Sequence, residues 1–357
     1  MTRHNLFSFA TSELSQDAFL CWLAALADHD DPELQQLGKA FIAWLWERAR
    51  GSKVEAEQVR LRERPKPQWK KIDITLEAAI GERECRFIIE DKTDTTQHGD
   101  QLKRYLEVAR ADGSDVVPIY FKTGYYFGSD RAATVAQYAV VELRPWVEFL
   151  RAQTAQSDIL DDYRAYVANI LQKREKALAR LSEASGFEAF KHDFVQYEFL
   201  EKLANRCPEA VGGSAIHRGT NLGGSPWTHY RFVFFTGLPA GVDEVLFHRI
   251  DKRQNDSGQT GYYLSTRQYA SVKGKPEAAA AKLARLTEYR RTFSAATEQA
   301  GTGLRFSKPA ADFRGANESE VGILFFDART NSTTNVLEQF PAVHRAFVAG
   351  LAGRTRP

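Results

Sequence analysis

Residues Lys70 to Lys92, KKIDITLEAAIGERECRFIIEDK, constrain the fold more than any other stretch. Ile72, Ile74 and Leu76 alternate with Lys71, Asp73, Thr75 and Glu77, which predicts a strand with one apolar face. A second apolar run follows Gly81-Glu82 and ends in Glu90, Asp91 and Lys92. The short turn predicts a hairpin. The alternation puts Glu90 and Lys92 on one face and Phe87, Ile89 and Asp91 on the other. Charged residues at the end of a buried strand are costly unless they are paired, exposed or bound to a metal.

Helical spacing surrounds this hairpin. SELSQDAFLCWLAALA has an N-cap candidate in Ser12 and apolar positions Leu14, Phe19, Trp22, Leu23 and Leu26. A second helix starts at Pro32 and ends at Gly51, with Trp44 and Trp46 among its core candidates. KVEAEQVRLRER reads as a strand. HGDQLKRYLEVARA reads as a helix with Leu102, Tyr105, Leu106 and Ala109 on one side, and VVPIYFKTG as a strand. QYAVVEL adds a further strand and Pro145 opens a helix. The order is helix, helix, three strands, helix, strand. Residues 155–210 read as helical, and GGSAIHRGTNLGGSPW, with five glycines, as a connection. Beyond it lie strands in THYRFVFFTG, EVLFHRID, TGYYLSTRQY and EVGILFFDA. A long helix starts at KPEAAAAKLARL, and a closing helix breaks near Pro341. The expected organisation is a core over 1–150, a helical segment over 151–211 and an α+β module over 212–357.

The hairpin brings Asp73 toward Glu90. Two close carboxylates repel unless a cation lies between them. A hard ion such as Mg²⁺ prefers one or two carboxylates, retained waters and a phosphate oxygen. Lys92 beside such an ion would offset phosphate charge. Gln101 and Tyr105, four apart on a helix, share a side from which both can donate hydrogen bonds. Glu13 beside the N-cap is either a further carboxylate for the ion or a first-turn acid favoured by the helix dipole. Asp91 is expected to face away and pair elsewhere. His98, ahead of the helix, reads as a cap or surface residue.

This pattern resembles the PD-(D/E)XK nuclease superfamily over residues 10 to 125. Asp73 matches the family's first aspartate, Glu90-Asp91-Lys92 its E-x-K strand, and Gln101 to Tyr105 the Q-x-x-x-Y helix of the RecB-like branch. Glu13 looks like the acid some branches carry on the first helix. Ile72 stands where the family often has proline. The resemblance implies an α/β fold with a restriction-endonuclease-like core, a mixed central sheet flanked by helices. It also implies Mg²⁺ with Mn²⁺ substituting, DNA cleavage by Asp73, Glu90, Lys92, Gln101 and Tyr105, and a metal held by Glu13, Asp73 and Glu90. Proteins with a similar opening look like defence or mobile-element nucleases. The alternative is a non-catalytic nucleic-acid- or protein-binding protein that keeps the fold.

Residues 1–130 hold 18 Lys/Arg against 22 Asp/Glu, so a polyanion there would need cations or a basic neighbour. In the C-terminal module Arg231, Arg249, Lys252, Arg253 and Tyr262 form a candidate DNA-binding set among other basic and aromatic residues. Such interleaving suits a single strand or a distorted duplex, and a solvated sheet face equally well; the module is also a candidate site for a protein partner. The glycine-rich GGSAIHRGTNLGGSP lacks the Gly-Lys-Ser/Thr of a phosphate-binding P-loop. Cys21, Cys85 and Cys207 show no metal or disulfide spacing and read as reduced and buried. No apolar run suits a membrane span or a leader peptide, so a cytoplasmic location is expected.

Overall fold

The computed structural model describes residues 4–10, 12–93, 95, 100–221, 226–254, 258, 260–309 and 317–352. The chain divides into two compact units, Met1–Arg174 and Glu175–Pro357. The stretch read as a helical segment over 151–211 is therefore shared between them.

In the first unit, helix α1 (Glu13–Ala25) begins where Ser12 Oγ accepts a hydrogen bond from the Ser15 amide. Helix α2 (Pro32–Arg50) is capped by Asp31, which accepts from the Glu33 and Leu34 amides, and ends at Gly51 with φ +69°. Strand β1 (Val59–Leu61) is shorter than its sequence suggests, because residues Ala56–Gln58 form a 3₁₀ turn. Strand β2 (Lys66–Trp69) was not expected. Its sequence, KPQW, carries a proline and no alternation, and it forms by pairing with the start of strand β3 (Ile72–Ile80). Strand β4 (Arg83–Lys92) returns antiparallel, with Ile80 opposite Arg83 and Ile74 opposite Ile89. The two-residue turn places Gly81 at φ +60°, which suits glycine at the first central position of a hairpin turn.

Helix α3 (Gln101–Arg110) crosses over to strand β5 (Val116–Lys122), parallel to β4. Helix α4 (Arg131–Val135) leads to strand β6 (Ala139–Glu142), parallel to β5. Helix α5 (Leu143–Ala152) begins two residues ahead of Pro145, and helix α6 (Asp158–Ala179) follows. The sheet runs β1-β3-β4-β5-β6, with β2 also on β3. Its main core joins Ile74, Leu76, Phe87, Ile89, Val117 and Phe121 to Phe19, Phe41, Trp146 and Tyr163. The opposite face packs Ile88 and Tyr120 against Leu102 and Leu106 of α3. Ile72, expected beside Ile74 and Leu76, belongs to this second cluster. It follows a turn in which Lys70 and Lys71 have positive φ, and precedes the first β3–β4 pair.

In the second unit, helix α7 (Asp193–Arg206) precedes a five-stranded antiparallel sheet ordered β11-β10-β9-β8-β7. Its strands are β7 (Ala215–Thr220), β8 (Pro226–Leu238), β9 (Val242–Gln254), β10 (Thr260–Ala270) and β11 (Glu318–Phe325). Strand β7 corrects the reading of the glycine-rich segment as a connection: Ile216 to Gly219 pair with β8 at the sheet edge. Helix α8 (Pro276–Ala300) and helix α9 (Thr333–Ala352) share a core with Phe232, Leu246, Leu264 and Val321. The closing helix is not broken at Pro341, which lies buried inside α9. All three cysteines are free; Cys85 and Cys207 are buried and Cys21 is half-buried. Among the described residues no helix is long and apolar enough to cross a membrane.

Candidate active site

The last registered β3–β4 pair is Ile74 with Ile89. One residue further, Asp73 and Glu90 leave the two strands on the face that Lys92 also uses. Lys92 Nζ lies 2.8 Å from Glu90 Oε1 and 3.2 Å from Asp73 Oδ2. It also donates to the Asp91 carbonyl at 2.8 Å. Asp73 is held from two further directions, by the Asp91 amide at 3.0 Å and Gln68 Nε2 at 3.1 Å. Gln101 Nε2, in the first turn of α3, donates to Glu90 Oε1 at 2.8 Å and to Tyr105 Oη at 3.1 Å. The structure thus brings Asp73, Glu90, Lys92, Gln101 and Tyr105 into one connected set. Tyr105 reaches the acids only through Gln101 in this set.

Burial decides the electrostatics. Glu90 is 1% exposed and Lys92 7%. Desolvation first, then the charge of Asp73, pushes Glu90 up to about 7, against the opposing pull of Lys92. Burial alone would lower Lys92, but Glu90 and Asp73 outweigh it and raise the ammonium above its ordinary range. The lysine therefore remains a cation between two acids. Glu90 Oε2 is buried and has no hydrogen-bond donor among the described residues.

Glu13 reaches the end of β4 from the first turn of α1. Its Oε1 accepts from the Thr93 amide at 3.0 Å and from Thr95 Oγ1 at 2.6 Å, fixing the chain as it leaves β4. His98 lies outside the described residues. Asp91 faces away from Lys92, as the alternation requires, and enters a buried polar cluster on the α1 side. Gln16 Nε2 donates to its Oδ1, and Thr123 Oγ1 and Tyr163 Oη donate to Gln16 Oε1 at 2.9 and 3.1 Å. Asp17 is 3% exposed and completes the group. Burial, then the charge of Asp73, pushes Asp17 up to about 7. Burial and the charge of Asp17 raise Asp91 well above the ordinary carboxylate range. Sequence reasoning missed Gln16 and Asp17. The available signal was two polar residues falling in the α1 stripe that continues with Leu20, Leu23 and Ala24.

Two backbone features surround the set. Gln68, Lys70 and Lys71 have φ of 55°, 50° and 73°, three left-handed residues within four positions beside Asp73. Such conformations cost free energy and persist where the surroundings enforce them. Gly124, beyond β5, lies so close to Thr93 that a Cβ would meet the Thr93 carbonyl oxygen at 1.6 Å. Lys122 donates to the Thr95 carbonyl from the same strand end.

Among the described residues no three His, Cys, Asp or Glu side chains are grouped to hold a metal. The donors that do converge, Asp73 and Glu90, are hard oxygens with an ammonium between them and one orphaned buried oxygen. That set suits a small divalent cation, which takes one or two protein carboxylates and keeps waters for its other positions.

The candidate DNA-binding residues of the second unit do not form one surface. Alternation on β9 puts Arg249 and Arg253 on the face away from α8 and α9, together with Arg231 of β8. Lys252 lies on the other face, 5.8 Å from the ring of its cross-strand partner Tyr262. Arg249 and Arg253 are paired with acids: Arg249 with Asp251 and Glu318, Arg253 with Glu320. Their charges are compensated within the sheet. No family model, curated protein or solved structure matches this chain.

Proposed function

We propose that the Met1–Arg174 unit hydrolyses phosphodiester bonds of DNA with the help of a divalent ion, Mg²⁺ or Mn²⁺, as a nuclease with a restriction-endonuclease-like core. The observation that carries this reading is the meeting of Asp73, Glu90 and Lys92 at the ends of two paired strands, with Glu90 Oε2 left without a donor. Asp73 and Glu90 would hold the ion. When bound, it would acidify water and draw charge from a phosphate oxygen. The chain's own residues do the rest. Gln101 orients Glu90, while Gln68 and the Asp91 amide orient Asp73. Lys92 supplies a fixed cation, raised by its neighbours, to meet the negative charge that grows on the phosphate. Glu13 holds Thr93 and Thr95 beyond β4. The second unit would bind DNA or a protein partner, and a role in prokaryotic defence fits such an enzyme.

One observation favours a second reading. Lys92 already compensates both acids, as it would in a non-catalytic nucleic-acid- or protein-binding protein. A cleavage assay separates the two. Supercoiled and linear plasmid are incubated with Mg²⁺ and the wild type, Glu90→Gln or Lys92→Met. The nuclease reading expects each substitution to lower the rate about a hundredfold or more. Equal activity in all three proteins removes it.

A further inference from the structure

The face of the C-terminal sheet opposite α8 and α9 contains a cavity of about 290 Å³, lined among others by Trp227, His229, Arg231, Phe247, Arg249 and Tyr269. That volume is at the small end of ligand pockets and suits a small molecule or one unit of a polymer.

Among the described residues the arginines of this face are ion-paired except at one position. Arg249 pairs with Asp251 at 2.8 Å and Glu318 at 3.1 Å. Arg267 pairs with Asp251, Glu318 and Glu320 at 3.0, 3.2 and 3.3 Å, and Arg253 with Glu320 at 2.9 Å. Three guanidiniums meet three carboxylates. Arg231 is a fourth guanidinium on the same face, half-buried, and has no ion pair or hydrogen bond among the described residues. His229 adds no charge of its own to it. Its ring is stacked between Trp227 and Phe247, with centroids 4.3 and 4.1 Å away. Burial, then Arg249 and Arg231, drives its pKa down to about 2, so it stays neutral. The indole of Trp227 lies against Gly219 of β7, where a Cβ would come within 2.4 Å of it. The aromatic wall is therefore fixed in place, and one uncompensated positive charge stands beside it.

A ligand that completes this cavity has one negative charge and a flat body. Arginine favours phosphate and carboxylate through paired N–H donors, and aromatic rings favour bases by stacking. We infer that the cavity receives a single nucleotide, its phosphate on Arg231 and its base against Trp227 and Tyr269. The choice of a nucleotide over other flat anions rests on the DNA reading of the first unit.

The test is calorimetric titration of the full chain, with EDTA present, using a short oligodeoxythymidylate, thymidine monophosphate and benzoate. Binding of the oligonucleotide alone identifies a strand as the ligand; binding of the monophosphate as well identifies a free nucleotide, and both support the site. Arg231→Gln is expected to weaken nucleotide binding about tenfold or more, because a charge-assisted bidentate contact is lost. Arg231→Lys, which keeps the charge but not the fork, should lose less. The slope of log affinity against log salt should fall by about 0.7 in Arg231→Gln for a single strand. The inference is overturned if neither nucleotide binds, if benzoate binds as tightly as the monophosphate, or if folded Arg231→Gln keeps wild-type affinity. A chain that cleaves DNA while Arg231→Gln binds normally removes this inference alone. A chain that never cleaves, yet loses nucleotide binding in Arg231→Gln, removes the nuclease reading alone.

Discussion

Replacing Lys92 by methionine keeps the aliphatic stem of the side chain and deletes the charge that separates two acids. In the folded protein Lys92 Nζ contacts Glu90, Asp73 and the Asp91 carbonyl within 3.2 Å, and both Glu90 and Lys92 are nearly inaccessible to water. Removing one partner of a buried ion pair costs about 3–5 kcal/mol, because the remaining charge is left uncompensated. The cost must depend on pH, and its sign follows from Glu90. Its folded pKa is raised to about 7, so the folded state holds this proton more tightly than the unfolded chain. That contribution is fully present below the unfolded carboxylate value of about 4.3 and is lost as pH rises through 7. Lys92 is one of the influences holding Glu90 down, so Lys92→Met extends the loss to higher pH. Near pH 5.5 a protonated Glu90 limits the damage to the lost hydrogen bonds and the ion pair with the partly exposed Asp73, about 2 kcal/mol. Near pH 8.5 the full cost of about 3–5 kcal/mol returns. Urea unfolding followed by tryptophan fluorescence reads this directly, since Trp22, Trp44, Trp46, Trp69 and Trp146 all lie in the first unit. The expected midpoint drop is about 1–2 M urea at pH 8.5 and clearly less at pH 5.5. An equal drop at both values, or none at pH 8.5, refutes the reasoning.

Two further outcomes follow from the same structure. Lys71 has φ +73° in the turn beside Asp73, a conformation that costs a side-chain-bearing residue about 1–2 kcal/mol. Lys71→Gly should therefore raise the stability of the first unit by about 0.5–1 kcal/mol after the entropy of glycine is subtracted; a lower urea midpoint contradicts this. In the second unit His229, His248 and His344 are all held neutral by burial, His229 down to about 2. The unfolded chain protonates them below about pH 6.5, so stability is present above that value and falls as pH drops. Each contributes up to about 1.4 kcal/mol per pH unit. Hydrogen exchange in β8 to β10, corrected for intrinsic rates, should show weaker protection at pH 5 than at pH 7; unchanged protection contradicts it.

Much of the candidate site was legible because short-range geometry fixed it. The two-residue turn at Gly81 sets the register, and alternation then determines that Asp73, Glu90 and Lys92 share a face. The four-residue spacing of Gln101 and Tyr105 needed only a helix, and α3 formed where the apolar spacing predicted it. What escaped the sequence depends on long-range partners. Asp17 and Gln16 look like ordinary polar helix residues until Asp91, 75 positions from Gln16, is seen to accept a hydrogen bond from Gln16 in the buried cluster. Strands β2 and β7 carry proline or glycine and no strong alternation, so they exist through their neighbours β3 and β8. The candidate basic set is divided between two faces for a local reason that was available. Lys252 is one position out of phase with Arg249 and Arg253, and the acids that neutralise those arginines come from Asp251 and from β11. Pro341 does not break α9, since burial among Phe340, Val343 and Phe347 holds the helix together through the missing amide.

The central claim is that Asp73 and Glu90 share a divalent ion beside Lys92. Diffraction from crystals soaked in Mn²⁺, collected for anomalous signal, tests it without reference to any substrate. The account predicts one anomalous peak in contact with both carboxylates, absent from Glu90→Gln crystals treated in the same way. Clean density with Lys92 still bridging the two acids, and no peak between them at saturating Mn²⁺, contradicts it.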